Sequence, residues 1–116
     1  MRHYFVGSVP ARLKRPDRPT AIFAVGYVFA LDVYEAAAEA GLTIPGDLSV
    51  VGVDDPPSAA FVSPPLTTLR QPLQRLGEDA LQFALTGTTG GDTTRRRSLP
   101  AEWVERGSTA PAPTSP

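Results

Sequence analysis

Two adjacent carboxylates, Asp54 and Asp55, close the run Leu48-Ser-Val-Val-Gly-Val53. An ionised carboxylate only accepts hydrogen bonds. Facing a cleft, it can take two from neighbouring sugar hydroxyls, and such charge-assisted bonds fix orientation. The same short acidic side chain also caps loops well. From the residues alone both readings stand for Asp54, and capping is the reading for Asp55. Adjacent strand residues point to opposite faces, so the two carboxylates do not converge on one substrate as an acid–base pair. Other reactive chemistry is scarce. The chain has no cysteine, which removes disulfides, thiolate metal sites and thiol nucleophiles, and His3 is its only histidine. No metal partners stand at suitable spacing from His3, and Ser49, Ser58 and Ser63 lack the histidine a serine triad needs. No enzymatic activity, metal or cofactor is expected.

Val50, Val51 and Val53 form the β-branched run of a buried parallel strand covered on both faces by helices. Pro56-Pro57 stops it. A parallel strand that ends in acids delivers them to the crevice outside the strand ends, where open α/β sheets bind ligands. The run Thr20–Val25 has strand length, and Gly26 ends it. Val28, Leu31, Tyr34 and Ala38, with Ala37 at the flank, then recur at helical spacing, and Gly41 is placed as the residue just past the helix end, with Leu42 contacting back. Strand, helix and strand over about 35 residues make a βαβ unit with a right-handed crossover. A proline-rich loop follows Asp55. Leu66–Arg70 has short-strand character, Pro72 suits the start of a helix, and Leu73, Leu76, Gly77, Ala80 and Ala84 form an apolar stripe in which Gly77 implies a close neighbour. Residues 87–94 read as a flexible loop, Arg95-Arg-Arg as a solvated edge, and Leu99–Arg106 as one or two short strands.

The 116 residues carry a net charge of −1, which gives no general bias toward nucleic acid or membrane. Residues 1–18 are basic, prolines punctuate them and no periodicity runs through them, so they read as a solvated, poorly ordered terminus. Residues 107–116 are rich in Pro, Ala, Ser and Thr and are expected to be disordered. No apolar run has membrane-span length and the opening is too short for a signal peptide, so the expected compartment is the cytoplasm.

Pro19-Thr-Ala-Ile-Phe-Ala24, Ala40-Gly-Leu-Thr-Ile-Pro-Gly-Asp-Leu-Ser-Val-Val-Gly-Val-Asp-Asp55, Pro64-Pro-Leu-Thr-Thr-Leu-Arg-Gln-Pro-Leu73 and Leu76-Gly77 stand in this order in the chain. Together they resemble the C-terminal half of the LacI/GalR family of bacterial transcriptional repressors. Leu99-Pro-Ala-Glu-Trp-Val-Glu-Arg-Gly-Ser-Thr109 is similar to that family's closing segment. The likeness covers roughly residues 19–110, and nothing in residues 1–19 matches what should precede Pro19. It implies an α/β fold, specifically part of a type I periplasmic-binding-protein-like sensor at 19–106, with a mainly parallel sheet and a ligand held between two lobes.

By the same resemblance Asp54 falls on the effector-binding aspartate and Gln71 on a polar crossover residue near the ligand. From the residues alone, Gln71 and Arg70 serve either ligand or crossover backbone. Leu66–Gln71 and Thr94–Ser98 fall on strands passing between the lobes, and Leu31 and Phe61 on positions packed across a dimer. The family usually has Asn-Asp where this chain has Gly26-Tyr27, which removes a customary ligand contact; Tyr27 offers a stacking face instead. The implied partners are a small-molecule effector, a sugar or related polyol, and a second copy or a homologue. Operator DNA is a partner of the complete family protein and not of this chain alone, because no helix-turn-helix and little of the first lobe is in the sequence. The expectation is thus a truncated sensor of marginal monomer stability. A fragment of a transport-type sugar-binding protein, or a dimerisation module acting on an intact homologue, are the alternatives.

Overall fold

The computed structural model describes residues 9–86 and 96–114. A four-stranded sheet organises them in the order β1-β2-β3-β4, with β1 at Ala21–Phe23, β2 at Ser49–Val53, β3 at Thr67–Arg70 and β4 at Glu102–Val104. β1, β2 and β3 run parallel, and β4 returns antiparallel on β3 with Leu69 opposite Trp103. Three helices accompany the sheet: α1 (Val9–Leu13), α2 (Tyr27–Glu39) and α3 (Leu73–Thr86). The expected βαβ unit is present as β1, α2 and β2, in a mixed α/β fold.

The C-terminal end of α2 is built as its residues dictate. Gly41 takes φ +70, Leu42 N donates to Ala37 O at 2.9 Å and Gly41 N to Ala38 O at 3.0 Å. This is the Schellman closure, in which the left-handed glycine lets the last carbonyls find donors. The next turn holds itself through Asp47, whose carboxylate accepts from Thr43 N at 2.8 Å and Thr43 Oγ1 at 2.7 Å.

The phase of α2 differs from the expected stripe. Ala30, Val33, Ala36 and Ala37 are buried, whereas Val28 and Ala38 are exposed. The sheet selects the smaller side chains. A Cβ placed on Gly52 of β2 would stand 3.6 Å from Ala30 Cβ and 2.9 Å from Leu66 Cδ2, so helix and strand approach too closely for bulk. The helix is apolar on more than one side, and periodicity alone picked the wrong face. On β2 itself, Val50 and Gly52 are fully covered but Val51 and Val53 only half, so one face is closed rather than two.

Within the described residues, segments 9–18 and 107–110 make contacts that their composition did not suggest. Leu13 of α1 joins the core and α1 packs on α2, while Arg18 donates to Asp47 O at 2.8 Å. A five-residue helix is too short to show periodicity, which is why the residues around Leu13 read as a poorly ordered terminus. At the other end, Ser108 is fully buried between the starts of β2 and β3. Its Oγ accepts from Thr67 N at 2.8 Å and donates to Val50 O, and its carbonyl accepts from Val50 N at 2.9 Å. Ala110 N then donates to Ser49 Oγ at 3.1 Å. The proline-rich composition hid a segment that continues the sheet's hydrogen bonding through Ala110.

α3 forms where its pattern predicts, but among the described residues its apolar stripe meets no core. Leu73, Leu76, Leu81 and Leu85 are exposed, Asp79 is the helix's one buried residue, and a Cβ on Gly77 would find nothing within 4 Å. The close neighbour inferred from Gly77 is not among the described residues. Asp79 is held by Arg97 at 2.7 Å and Arg75 at 3.2 Å, and the Arg97 guanidinium lies 5.9 Å from the Phe83 ring centre. Arg97, expected at a solvated edge, therefore pins the returning chain to α3. The loop expected at 87–94 falls outside the described residues, as do Thr94 and Arg95 of the expected return strand; Arg96–Ser98 carry no strand pairing.

Ser108 supplies the acceptor for a buried Thr67 N–H, and removing it leaves that donor unpaired. Ser108→Ala is expected to lower the unfolding free energy by about 2 kcal/mol, read as a fall in the urea midpoint with little change in slope.

Candidate functional site

β2 ends at Val53, and the next residue turns sharply. Asp54 has φ +71, the left-handed region that Asp and Asn enter more readily than other non-glycine residues. Two bonds hold its backbone there. Asp54 N donates to Leu69 O at 3.1 Å, and Thr68 Oγ1 donates to Asp54 O at 2.9 Å. The turn presents the Asp54 carboxylate outward, where it accepts from Gln71 Nε2. Gln71 arrives from the end of β3, the parallel neighbour of β2, so strand pairing itself brings these two residues together.

Asp54 forms one wall of an open cavity of about 410 Å³ whose other walls are Val25, Gly26, Tyr27, Val28 and Phe29. These five span the end of β1 and the first turn of α2, so the cavity opens at the carboxyl ends of β1 and β2, where the strand polarity predicts a ligand crevice. Gly26 precedes α2 in extended conformation with no side-chain cap, and a Cβ there would press to 3.3 Å from the Phe29 ring. Asp54, Tyr27 and Gln71, all singled out through the family resemblance, fall in one place: Tyr27 and Asp54 on the cavity wall, Gln71 joined to Asp54. Chemically the corner offers a carboxylate acceptor with one oxygen left open by Gln71, a phenol able to donate or accept, and the apolar surface of Val25, Val28 and Phe29. That combination suits a small polyhydroxylated ligand.

Asp55 behaves quite differently from its neighbour. Its side chain is only 4 % exposed; it accepts from Arg106 Nη1 at 2.7 Å and Nη2 at 3.1 Å and from Arg70 Nε at 2.9 Å, with Arg70 Nη2 in ion-pair contact at 2.7 Å. Arg70 also reaches Glu102 at 3.2 Å, and Arg106 donates to Leu66 O at 2.8 Å. The capping role read for Asp55 is replaced by a buried ion pair, and Arg70 is committed to it rather than to ligand or backbone. The hydrogen-bonded Arg106 guanidinium, with Arg70 beside it, holds the Asp55 carboxyl below its ordinary range although burial pushes the other way; the Asp55 contact in turn raises Arg70. Arg106 was missed from sequence because it lies 51 positions from its partner and only the sheet joins them. Leu31 is half-buried on α2, and Phe61, just after the 3-10 turn at Pro57–Ala60, is 85 % exposed.

A family model described as a periplasmic binding protein-like domain matches residues 2–109, reaching well into the segment before Pro19 that had shown no likeness. A lactose operon repressor from Rhizobium radiobacter is 42 % identical over 91 residues, covering 78 % of this chain and 80 % of that protein. The ribose operon repressor of Escherichia coli K12 is 39 % identical over 97 residues, which are 83 % of this chain but 29 % of the repressor. Among solved structures, a LacI family transcriptional regulator from Bifidobacterium animalis subsp. lactis superposes with TM-score 0.79 at 33 % identity, and one from Enterococcus faecalis with bound ribose with TM-score 0.75 at 38 % identity. In both, 90 % of this chain matches 39 % of the other. The chain thus spans most of one relative and about a third of the others.

Because the folded state holds the Asp55 carboxyl below its unfolded value of about 3.9, the stabilisation from this pair is complete above that value and is lost as pH falls through the folded one. Asp47, lowered by its bonds from Thr43, adds to the same slope. The urea midpoint is expected to drop between about pH 5 and pH 2. Asp55→Asn should start lower at pH 7 and change less over that interval.

Proposed function

The chain belongs to the LacI/GalR family of transcriptional regulators through its periplasmic-binding-protein-like sensor domain, and from that footing we propose that it is an effector-sensing segment whose cleft at Asp54 binds a sugar or related polyol. The observation that carries this reading is the position of Asp54: left-handed, exposed, and on the wall of a cavity it shares with Tyr27. A carboxylate there accepts from two sugar hydroxyls, Gln71 fixes its rotamer and can lend its own amide oxygen, and Tyr27 supplies a ring face for the less polar side of the sugar. Gly26-Tyr27, in place of the family's customary Asn-Asp, trades a polar contact for stacking surface. The bound ribose of the Enterococcus faecalis relative supports a pentose as the first ligand to try. In a complete regulator, occupancy of such a cleft is what would govern operator binding.

A second reading, association with a copy of itself or with a homologue through Leu31 and Phe61, is favoured by one observation: a phenylalanine left 85 % exposed after the 3-10 turn. Isolated exposed apolar residues are ordinary, but an aromatic ring this open is the kind of anchor that partner surfaces bury.

Titration calorimetry with D-ribose tests the first reading. Asp54→Asn keeps the shape, removes the charge and is expected to weaken binding at least about tenfold, the size of one charge-assisted hydrogen bond. Equal affinity in the variant sinks it. For the second reading, sedimentation velocity across a concentration series should show association that Phe61→Asp abolishes; an unchanged distribution would count against it.

A further inference from the structure

Two contacts join the chain just past β2 to the end of β3. Gln71 meets Asp54 at the cavity, and one residue along on each side Arg70 meets Asp55 behind it. They are consecutive rungs between the same two chain ends, with the Asp54 side chain exposed and the Asp55 side chain buried. We propose that Asp55 is a positioning residue: clamped by Arg106 and Arg70, it holds Asp54 in its left-handed conformation and aims that carboxylate at the cavity and at Gln71. The consequence for ligand rests on the sugar-site reading above, whereas the positioning itself does not.

A left-handed backbone at a residue other than glycine persists only where its surroundings over-determine it. Before Asp54 the chain is fixed by its paired amide, and at its carbonyl by Thr68 Oγ1. Beyond it the next side chain accepts three hydrogen bonds from two guanidiniums. Arg106 is itself immobilised, with its guanidinium on Leu66 O and its backbone N–H on Thr67 Oγ1 at 2.9 Å. The two arginines differ in weight. Arg106 is 17 % exposed and grips both Asp55 oxygens, while Arg70 is 48 % exposed and shares itself with Glu102. A planar fork on both oxygens of a buried carboxylate fixes orientation as well as distance, and a half-exposed ion pair does so less strongly. If the grip on Asp55 is released, the peptide after Asp54 is free to rotate, Asp54 relaxes toward the ordinary φ region, and the Gln71 contact goes with it. A merely structural Asp55 would instead loosen the whole sheet evenly.

The test uses the full isotope-labelled chain without ligand. Left-handed φ shortens the distance between a residue's amide and α protons, so wild-type Asp54 should show a strong intraresidue cross-peak, and the Gln71 side-chain amide should be displaced from the position of a solvated glutamine. In Asp55→Asn the Asp54 cross-peak should weaken and the Gln71 amide should return to the solvated position, while Ile22 and Val50 in the sheet keep their shifts. Asp54 and Gln71 signals unchanged in a folded Asp55→Asn would overturn the proposal, and so would uniform shifts through β1 and β2. Should Asp55→Asn fail to fold, Arg70→Met, which leaves the Arg106 fork in place, decides the matter: a smaller change in the same two signals supports the clamp, and none refutes it. Arg106→Lys, keeping the charge without the fork, should behave more like Asp55→Asn than like wild type. Since no sugar is added, a failure to bind ribose would leave this result standing. If ribose does bind the wild type, Asp55→Asn should weaken it roughly tenfold.

Discussion

A carboxylate almost wholly removed from water stays charged only where fixed cations repay its lost hydration, and for Asp55 those cations come from 15 and 51 positions further along the chain. The rest of the fold is arranged around that requirement. To supply Arg70, β3 must pair parallel with β2 so that its end lies beside Asp55. To supply Arg106, the chain must run out along α3, come back, and lay β4 antiparallel on β3. Having returned, the same segment supplies Ser108 to the other end of the β2–β3 pair, where its hydroxyl and carbonyl take the place of a missing strand neighbour for Val50 and Thr67. One short stretch, Arg106 to Ala110, thus closes both ends of the parallel pair, and its composition of small and polar residues is compatible with that task because its work is done by hydrogen bonds rather than by apolar burial.

What could be read from the residues was whatever depends on neighbours in sequence. The valine run of β2, the glycine closure after α2 and the helical register of α3 are all local, and all are where the pattern places them. The place of Asp54 at the strand's carboxyl end was legible for the same reason; its reading as a ligand contact came from the family resemblance. Unreadable features depend on distance. Arg106 and Ser108 act on residues dozens of positions away. The phase of α2 was lost because apolar residues occupy more than one side of that helix, and the choice between Val28–Leu31 and Ala30–Val33 is made by how closely β2 approaches at Gly52. Leu13 entered the core from a helix too short to announce itself.

α3 separates two ideas that a stripe pattern merges. Helical spacing of Leu73, Leu76, Ala80 and Ala84 states that a helix can present one apolar face; it does not state that a surface waits to cover it. Among the described residues the face is open and the contacts sit at its margin, where Asp79 takes Arg75 and Arg97 and Phe83 carries the Arg97 guanidinium. A glycine within a helix costs stability relative to alanine, and Gly77 returns nothing for it among the described residues. The helix is held in register by charge and by its attachment to β3 through Gln71 and Pro72, not by the sheet.

Asp54 and Asp55 are chemically the same side chain in adjacent positions, yet one is exposed beside a cavity and the other is nearly dry under two arginines. Strand alternation begins that division but does not complete it, because β2 has already ended at Val53. The left-handed φ at Asp54 completes it: a turn of that hand swings the first carboxylate outward while the second drops behind β3. Aspartate tolerates the conformation better than a branched or bulky residue would. The residue type that could recognise a polyol is therefore also one of the few that the backbone accepts at this point. Exchange for glycine would ease the backbone and discard the acceptor, whereas valine would lose both. In this corner the requirements of the turn and of the chemistry select the same side chain, and it is the buried neighbour, not the exposed one, whose partners the fold had to be built to reach.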